Sequence, residues 1–508
     1  MQVPLTIGDF LHRAEHVYPD RIAFIDEPDQ PATPLGPWTY GELAAKARAQ
    51  AAFLDELGVP VGGRVAVISQ NSARLLTSFF GVSAWGRVLV PVNFRLAVPE
   101  IQYIVGHSGA DVVYADPSLK DVLDHLDVAH KFVLGEDEHL FKDGAEPRPW
   151  ADPDENATAT INYTSGTTAR PKGVQLTHRN LWLNATTFGL HTSVTDRDTY
   201  LHTLPMFHCN GWGMPYIQTA MGNTQVVLRQ VDGTEILRRI EQQGVTMLCG
   251  APAVINMVLD AAQDWDGPIP GRDRVRVVVA GAPPPTRTIA RVADELGWEF
   301  IQIYGLTETA PLLTINRSRT EWDDLEPMER AKRLSRAGVP AIGVRMQVDE
   351  EGEVQAQSNH VLAGYWEQPE ESATALEGGW FHTGDGGVID DEGYVVISDR
   401  KKDVIISGGE NVSSIEVEDA LMGHPAVREV AVIGTPHEKW GELVTALVVV
   451  DTEVTADELV AHCRTQLAGY KIPRLVEFRD ELARTATGKL QKFKLREPFW
   501  KDQERQVH

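Results

Sequence analysis

Cysteine is scarce in this chain. Cys209, Cys249 and Cys463 are the only three in 508 residues, and no two form a Cys-x-x-Cys pair. That spacing argues against a disulfide framework or a zinc site and fits a reducing compartment. Positive charge is also in deficit. The 47 Lys and Arg stand against 72 Asp and Glu, a formal net charge of −25. Such a balance excludes nucleic acid or an anionic membrane surface as the main partner, and solubility is its ordinary consequence. No run approaches the roughly eighteen apolar residues of a membrane span. The first residues, Met1–Thr6, carry no basic segment followed by an apolar run. No signal peptide and no membrane span are expected, and a cytoplasmic location with them. Internal repeats and low-complexity segments are missing too.

What is present is alternation. The length implies two or more domains. Residues 6–17 read as a helix with Thr6 as its N-cap, and Thr39 with Glu42 forms a capping box for the next. Strands at Arg64–Ser69, Val88–Val92 and Asp111–Ala115 alternate with helices at 72–85 and 98–107. Residues 135–157, acidic and proline-containing, read as a surface loop. After them come strands at Ala157–Asn162, Thr224–Leu228, Val245–Cys249, Val275–Ala280 and Glu299–Tyr304, with helices capped by Thr177 and at Gly233–Gln243. This pattern predicts an α/β fold of parallel, helix-covered sheets. Apolar strands that end in glycine place ligands at their carboxyl ends. From about 338 the chain turns to short strands, a β-rich subdomain in which Asp385 reads as a turn residue. Beyond 400 it reads as a small α+β unit. Ser413 with Glu416 and Thr455 with Glu458 form capping boxes there, and Val427–Ile433 and Leu443–Val450 form strands. The expected division is 1–399 and 400–508.

One stretch concentrates chemistry, Tyr163-Thr164-Ser165-Gly166-Thr167-Thr168-Ala169-Arg170-Pro171-Lys172-Gly173-Val174. Glycine permits close backbone approach, and successive N–H groups make an anion-binding concavity. Lys172 adds a point charge. It is not a Walker A loop, because Pro171 stands where that motif needs glycine. A polar surface hairpin is the plainer alternative.

Four later motifs decide between these readings: Tyr304-Gly305-Leu306-Thr307-Glu308-Thr309, His382-Thr383-Gly384-Asp385, Asp399-Arg400-Lys401-Lys402-Asp403 and Arg484-Thr485-Ala486-Thr487-Gly488-Lys489. With the first stretch they resemble, in order, the core motifs of the adenylate-forming superfamily of acyl-CoA synthetases, carrier-protein adenylation domains and luciferases. Pro205-Met206-Phe207-His208-Cys209-Asn210-Gly211-Trp212 and Gly250-Ala251-Pro252-Ala253-Val254 are most similar to its acyl-activating enzymes and medium-chain acyl-CoA synthetases. Ala169 and Ala483 replace the usual glycine and proline and remove no functional group; altered loop stiffness is the expected effect.

The resemblance implies a two-step ligase using ATP, Mg²⁺ and coenzyme A. A carboxylic acid attacks the α-phosphate, and a CoA thiol then displaces AMP. Thr164, Ser165, Gly166, Thr167, Thr168 and Lys172 would cradle the leaving phosphates. Thr164 and Glu308 would hold Mg²⁺, with Thr307 beside them in the catalytic set. Tyr304 would stack on adenine, with Gly281, Ala282 and Pro283 opposite and Gln302 framing the nucleotide. Asp385 and Arg400 would take the ribose, although Arg400 alone also reads as a solvated charge. His208 would border the acyl pocket and gate CoA; outside the family context it reads as a core histidine. Trp212, Val254 and Pro311 would line that pocket. Acetate-specific relatives carry Trp at the position of Gly305, so Gly305 implies an open floor and disfavours acetate; a medium-chain, branched or aromatic acid is the expected substrate class. The C-terminal unit would be a mobile lid hinged at 400–402, with Lys402 at the hinge and Gly409 on the face that lines the pantetheine tunnel. A carrier protein, an amine or another nucleophile is the alternative acceptor. A homodimer is common among such relatives.

Lys489 alone would read as a surface lysine; the resemblance makes it the adenylation cation. Lys489→Ala is expected to slow pyrophosphate release by about a hundredfold or more. A wild-type rate of release would remove Lys489 from the catalytic set.

Overall fold

The computed structural model describes residues 2–137, 141, 144–164, 171–400, 403–407, 410–437, 440–485 and 490–501, with the backbone alone at Arg400; every count below is of these residues. Two large sheets dominate. The first has nine strands in the order Val339–Pro340, Leu312–Arg317, Glu299–Gly305, Arg276–Val279, Met247–Gly250, Thr199–His202, Thr224–Val227, Ile22–Ile25 and Trp38–Thr39. Its interior pairings are parallel and its two ends antiparallel. The second has seven strands: Gly364–Tyr365, Lys172–Thr177, Thr158–Thr164, Val88–Val92, Arg64–Ile68, Val112–Ala115 and His130–Val133.

Alternating side chains explain why these strands are apolar on both faces. Val65 and Val67 enter the core between the sheets, whereas Ala66 and Ile68 enter the core on the outer face. Val278 joins the inner core, and Val277 and Val279 the outer core of the nine-stranded sheet. Helices Gly8–Val17, Tyr40–Glu56, Ala73–Ser83 and His178–His191 contribute to the inner core. The result is the predicted α/β class. Its loops at the strand carboxyl ends are where such sheets bind ligands.

Local signals hold with specific exceptions. Thr39 and Glu42 form the capping box, as do Thr455 and Glu458. Thr6 does not cap the first helix. Ile7 occupies the N-cap, and the Thr6 N–H donates to Asp9 Oδ2 (3.2 Å). Ser413 caps the helix Ser414–Met422 by accepting from the Glu416 N–H, but the Glu416 carboxylate is drawn off to Lys471 (2.6 Å). Asp385 is not in a turn. It lies on the strand Phe381–Ile389, whose neighbour Val395–Arg400 places Arg400 directly opposite. The bend belongs to Gly384, at φ +72°. These two strands, with Val344–Val348 and Glu353–Ser358, form the four-stranded sheet of the β-rich segment.

Past residue 400 a further five-stranded sheet and two apolar clusters are built wholly from residues 405–499. Contacts cross position 400. Ser414 donates from its N–H (3.0 Å) and Oγ (2.6 Å) to Asp399 Oδ2, and Thr286 donates from its N–H to Asp419 (2.9 Å). Half-buried Lys492 reaches Glu418 (2.8 Å). Among the described residues no helix is long and apolar enough to cross a membrane.

Two buried histidines set a pH dependence. Burial holds the His178 and His202 imidazoles down to about 4, whereas an unfolded histidine titrates near about 6.5. Between those values the unfolded chain binds protons that the native chain does not, so stability falls as pH drops through that window. The urea midpoint at pH 5 should lie below that at pH 7. His202→Gln should reduce the slope by up to about 1.4 kcal/mol per pH unit.

Candidate functional site

The phosphate stretch is the link of a hairpin. Thr158–Thr164 pairs antiparallel with Lys172–Thr177, and the register sets Tyr163 against Gly173 and Thr164 against Lys172. Tyr163, Thr164 and Lys172 therefore lie on strand ends rather than in a loop. Cross-strand partners share a face, so Thr164 and Lys172 project together where the strands part. Gly173 has a steric reason. A Cβ there would sit 2.9 Å from Ile161 Cγ2 and 3.2 Å from Trp366 Cβ. Ser165, Gly166, Thr167 and Thr168 lie outside the described residues, as do Lys402, Gly409 and Lys489 and the Arg400 side chain.

A second centre gathers at the carboxyl end of Glu299–Gly305. The chain turns through Thr307–Thr309, closed by the Leu306 N–H donating to Thr309 Oγ1 (3.0 Å). Glu308 sits in that turn, its carbonyl accepting from the Leu362 N–H (2.7 Å). The Tyr365 hydroxyl donates to Glu308 Oε1 (3.0 Å), and Lys172 Nζ lies 4.9 Å from the centre of the Tyr365 ring. The sequence reading passed over Tyr365. A tyrosine between glycine and tryptophan reads as core filling, and only the pairing of Gly364–Tyr365 with Lys172–Thr177 brings it here. The hard oxygens of Glu308 and Thr164 fit Mg²⁺, which prefers carboxylate and other oxygen ligands.

The same strand carries the nucleotide candidates. Gln302 and Tyr304, two apart, face one side. The Tyr304 hydroxyl donates to Asp385 Oδ2 (2.7 Å), and Asp385 is 5% exposed. Gln302 is also 5% exposed, and its Oε1 has no hydrogen-bond partner within the described chain. Leaving a buried acceptor unmatched costs about 1–3 kcal/mol, so this oxygen suits a donor on a ligand. Gly281, just past Arg276–Val279, has φ +92° and open space where a Cβ would be; Ala282 is half-buried and Pro283 exposed.

Gly305 obeys a different constraint from the one its motif suggests. A Cβ on it would lie 1.6 Å from the Pro311 carbonyl oxygen, which also accepts from Thr309 Oγ1 (2.6 Å). With the Pro311 carbonyl so placed, a side chain at 305 would force this backbone to shift. Open pocket space cannot be inferred from Gly305 alone.

His208, half-buried, heads an unusual turn. Cys209, Asn210, Gly211, Trp212 and Gly213 all have positive φ, from 45° to 81°. Left-handed backbone costs roughly 1–2 kcal/mol per non-glycine residue, so this segment must be held. Asn210 Nδ2 donates to Thr160 Oγ1 (3.0 Å) and Asn162 Oδ1 (3.1 Å), and Asn162 Nδ2 donates back to Asn210 Oδ1 (3.1 Å). Asn184 Nδ2 donates to the Trp212 carbonyl (3.4 Å). Burial, with the nearby Glu308 charge, pushes the Cys209 thiol well up and leaves it protonated. Trp212 packs between the two sheets, whereas Val254 packs against the outer core of the nine-stranded sheet. These two acyl-pocket candidates thus join different cores.

Comparison with known proteins follows the same outline. A family model described as AMP-binding enzyme matches residues 11–366, and one described as AMP-binding enzyme C-terminal domain matches 416–489. The chain is 37% identical to a 4-hydroxybutyrate–CoA ligase of Metallosphaera sedula, over 96% of this chain and 93% of that one. It is 35% identical to a 2-methylpropanoate–CoA ligase of Humulus lupulus, over 97% and 95%. The solved o-succinylbenzoate CoA synthetase of Bacillus subtilis, in complex with its acyl-adenylate intermediate, is 29% identical. It aligns with a TM-score of 0.82 over 96% of this chain and 97% of that one.

Gly305→Ala tests the backbone constraint. Overpacking of this kind costs about 1–3 kcal/mol, to be read as a lower urea midpoint together with slower adenylation. Wild-type values of both would mean that the Pro311 carbonyl yields freely.

Proposed function

This chain belongs to the AMP-binding enzyme family and is an AMP-forming acid–CoA ligase, and from that premise we propose that it activates a medium-chain, branched or aromatic carboxylic acid. The carboxylate oxygen bonds to the α-phosphorus of ATP, and pyrophosphate leaves. The CoA sulfur then bonds to the acyl carbon, and AMP leaves. The similarity to a 2-methylpropanoate–CoA ligase supports the branched member of that class.

The observation that carries the assignment of the site is its pair of tyrosine links. Tyr304 ties Asp385 to the strand Glu299–Gly305, and Tyr365 ties Glu308, in the turn after that strand, to the hairpin of Lys172. Asp385 accepts from the ribose hydroxyls, as an ionised carboxylate can, with Arg400 from the opposite strand. Gln302 Oε1 accepts from the adenine amino group, and Tyr304 with Gly281, Ala282 and Pro283 bounds the ring. Thr164, Lys172 and the 165–168 backbone hold the phosphates that leave. Thr164 and Glu308 would hold Mg²⁺, which when bound would supply positive charge near the leaving phosphates. Lys489 stabilises charge between carboxylate and α-phosphate; such preorganised contacts carry much of the rate where no covalent catalysis operates. His208, Trp212, Val254 and Pro311 bound the acyl side. We place the lid at 400–508 with its hinge at 400–402, supported by two apolar clusters that draw on no residue before 405.

A carboxylic-acid panel incubated with ATP, with and without CoA, tests the reading. AMP release and mass spectrometry should reveal a CoA thioester with a branched, medium-chain or aromatic acid, in preference to acetate. A panel in which acetate is the best acid would refute the substrate class. Acyl-adenylate that never becomes a CoA thioester would point to another acceptor.

A further inference from the structure

The position of Tyr365 goes beyond these assignments, although it rests on Glu308 as a Mg²⁺ ligand and Lys172 as a phosphate cation. We propose that Tyr365 is a positioning residue for adenylation: its hydroxyl aims the Glu308 carboxylate, and its ring seats the Lys172 ammonium.

Three observations converge. The hydroxyl donates to Glu308 Oε1 at 3.0 Å, within hydrogen-bond range. The ring lies 4.9 Å from Lys172 Nζ, within cation–π range. The tyrosine itself is clamped. Its backbone pairs opposite Val174, its N–H donates to Ser372 Oγ (2.7 Å), and its carbonyl accepts from the Gln368 N–H (3.1 Å). Next to it, the Trp366 N–H donates to the Gly173 carbonyl (2.7 Å) and Trp366 Nε1 to the His107 carbonyl (3.1 Å). The segment 362–366 is therefore pinned to both elements it serves, the Glu308 turn through the Leu362 N–H and the Lys172 hairpin through Trp366. A carboxylate has two oxygens and about four lone-pair sites. Fixing Oε1 from one direction selects how the group meets a cation.

Mn²⁺ binding in the presence of ATP, followed by electron paramagnetic resonance, supplies a readout apart from turnover. It is paired with the Mg²⁺ dependence of ATP–pyrophosphate exchange. The chains are wild type, Tyr365→Phe, Glu308→Gln, the double variant and Tyr365→Leu. Tyr365→Phe keeps the ring and should keep the wild-type urea midpoint. Loss of a hydrogen bond to a charged group should weaken its Mn²⁺ binding about tenfold and raise the Mg²⁺ needed for exchange by a similar factor. The double variant should be no worse than Glu308→Gln, because the two residues act as one unit. Tyr365→Leu, which also removes the seat of Lys172, should additionally raise the half-saturating pyrophosphate concentration. Metal binding weakened by Glu308→Gln and untouched by Tyr365→Phe would overturn the role of Tyr365 and leave that of Glu308 intact. Metal binding untouched by Glu308→Gln would overturn the metal assignment itself, and this inference with it.

Discussion

Two buried amides set the spacing of the site. Asn162 and Asn210 exchange side-chain hydrogen bonds at 3.1 Å, with Thr160 completing the group. Asn162 stands on the strand that ends at Thr164, and Asn210 within the left-handed turn that His208 heads. Separating the two would leave polar groups buried and unmatched, at about 1–3 kcal/mol each. That penalty holds a strained backbone in place, which is the condition under which strain persists at functional sites. The Thr164 strand end and the His208 turn are therefore not independent elements. They are two ends of one hydrogen-bonded unit.

Electrostatics shows how local this site must be. The chain carries a net charge of −25, yet ATP, CoA and a carboxylate are all anions. Screening over about 8 Å at physiological ionic strength limits the repulsive field of the whole. Two buried arginines elsewhere are committed to partners, Arg229 to Asp116 and Arg239 to Glu27. The positive charges assigned to the reaction, Lys172, Arg400 and Lys489, come from three separate motifs, and the fold has to bring them to one place.

Much of the fold was legible in the sequence. Parallel strands buried on both faces are continuous apolar runs, and Val88–Val92 and Gly233–Gln243 have the bounds their patterns suggest. Capping at Thr39, Thr177 and Thr455 was readable because one side chain meets a backbone N–H three residues on. What failed depended on partners distant in the chain. Glu416 left its box for Lys471, and Asp385 became a strand residue by pairing opposite Arg400. Tyr365 gained its position through a two-residue strand that no periodicity could reveal. Gly305 was attributed to the acid and answers to a carbonyl six residues on. The left-handed turn had a faint signal, Asn210-Gly211 with Gly213, residue types that tolerate positive φ.

The bond between Ser414 and Asp399 has a further consequence. Asp399 belongs to the strand that ends at Arg400, whereas the helix whose first N–H it accepts from, at Ser414, begins beyond it. A helix end with its acceptor removed loses about 1 kcal/mol, roughly a fivefold shift in population. If the proposed lid turns about its hinge, any orientation that withdraws Asp399 leaves this helix without that acceptor. The molecule then has a resting preference written into a helix terminus. Under that lid proposal, a ligand reverses the preference only by binding the other orientation more tightly, so a residue outside the assigned substrate contacts would help set the balance between orientations.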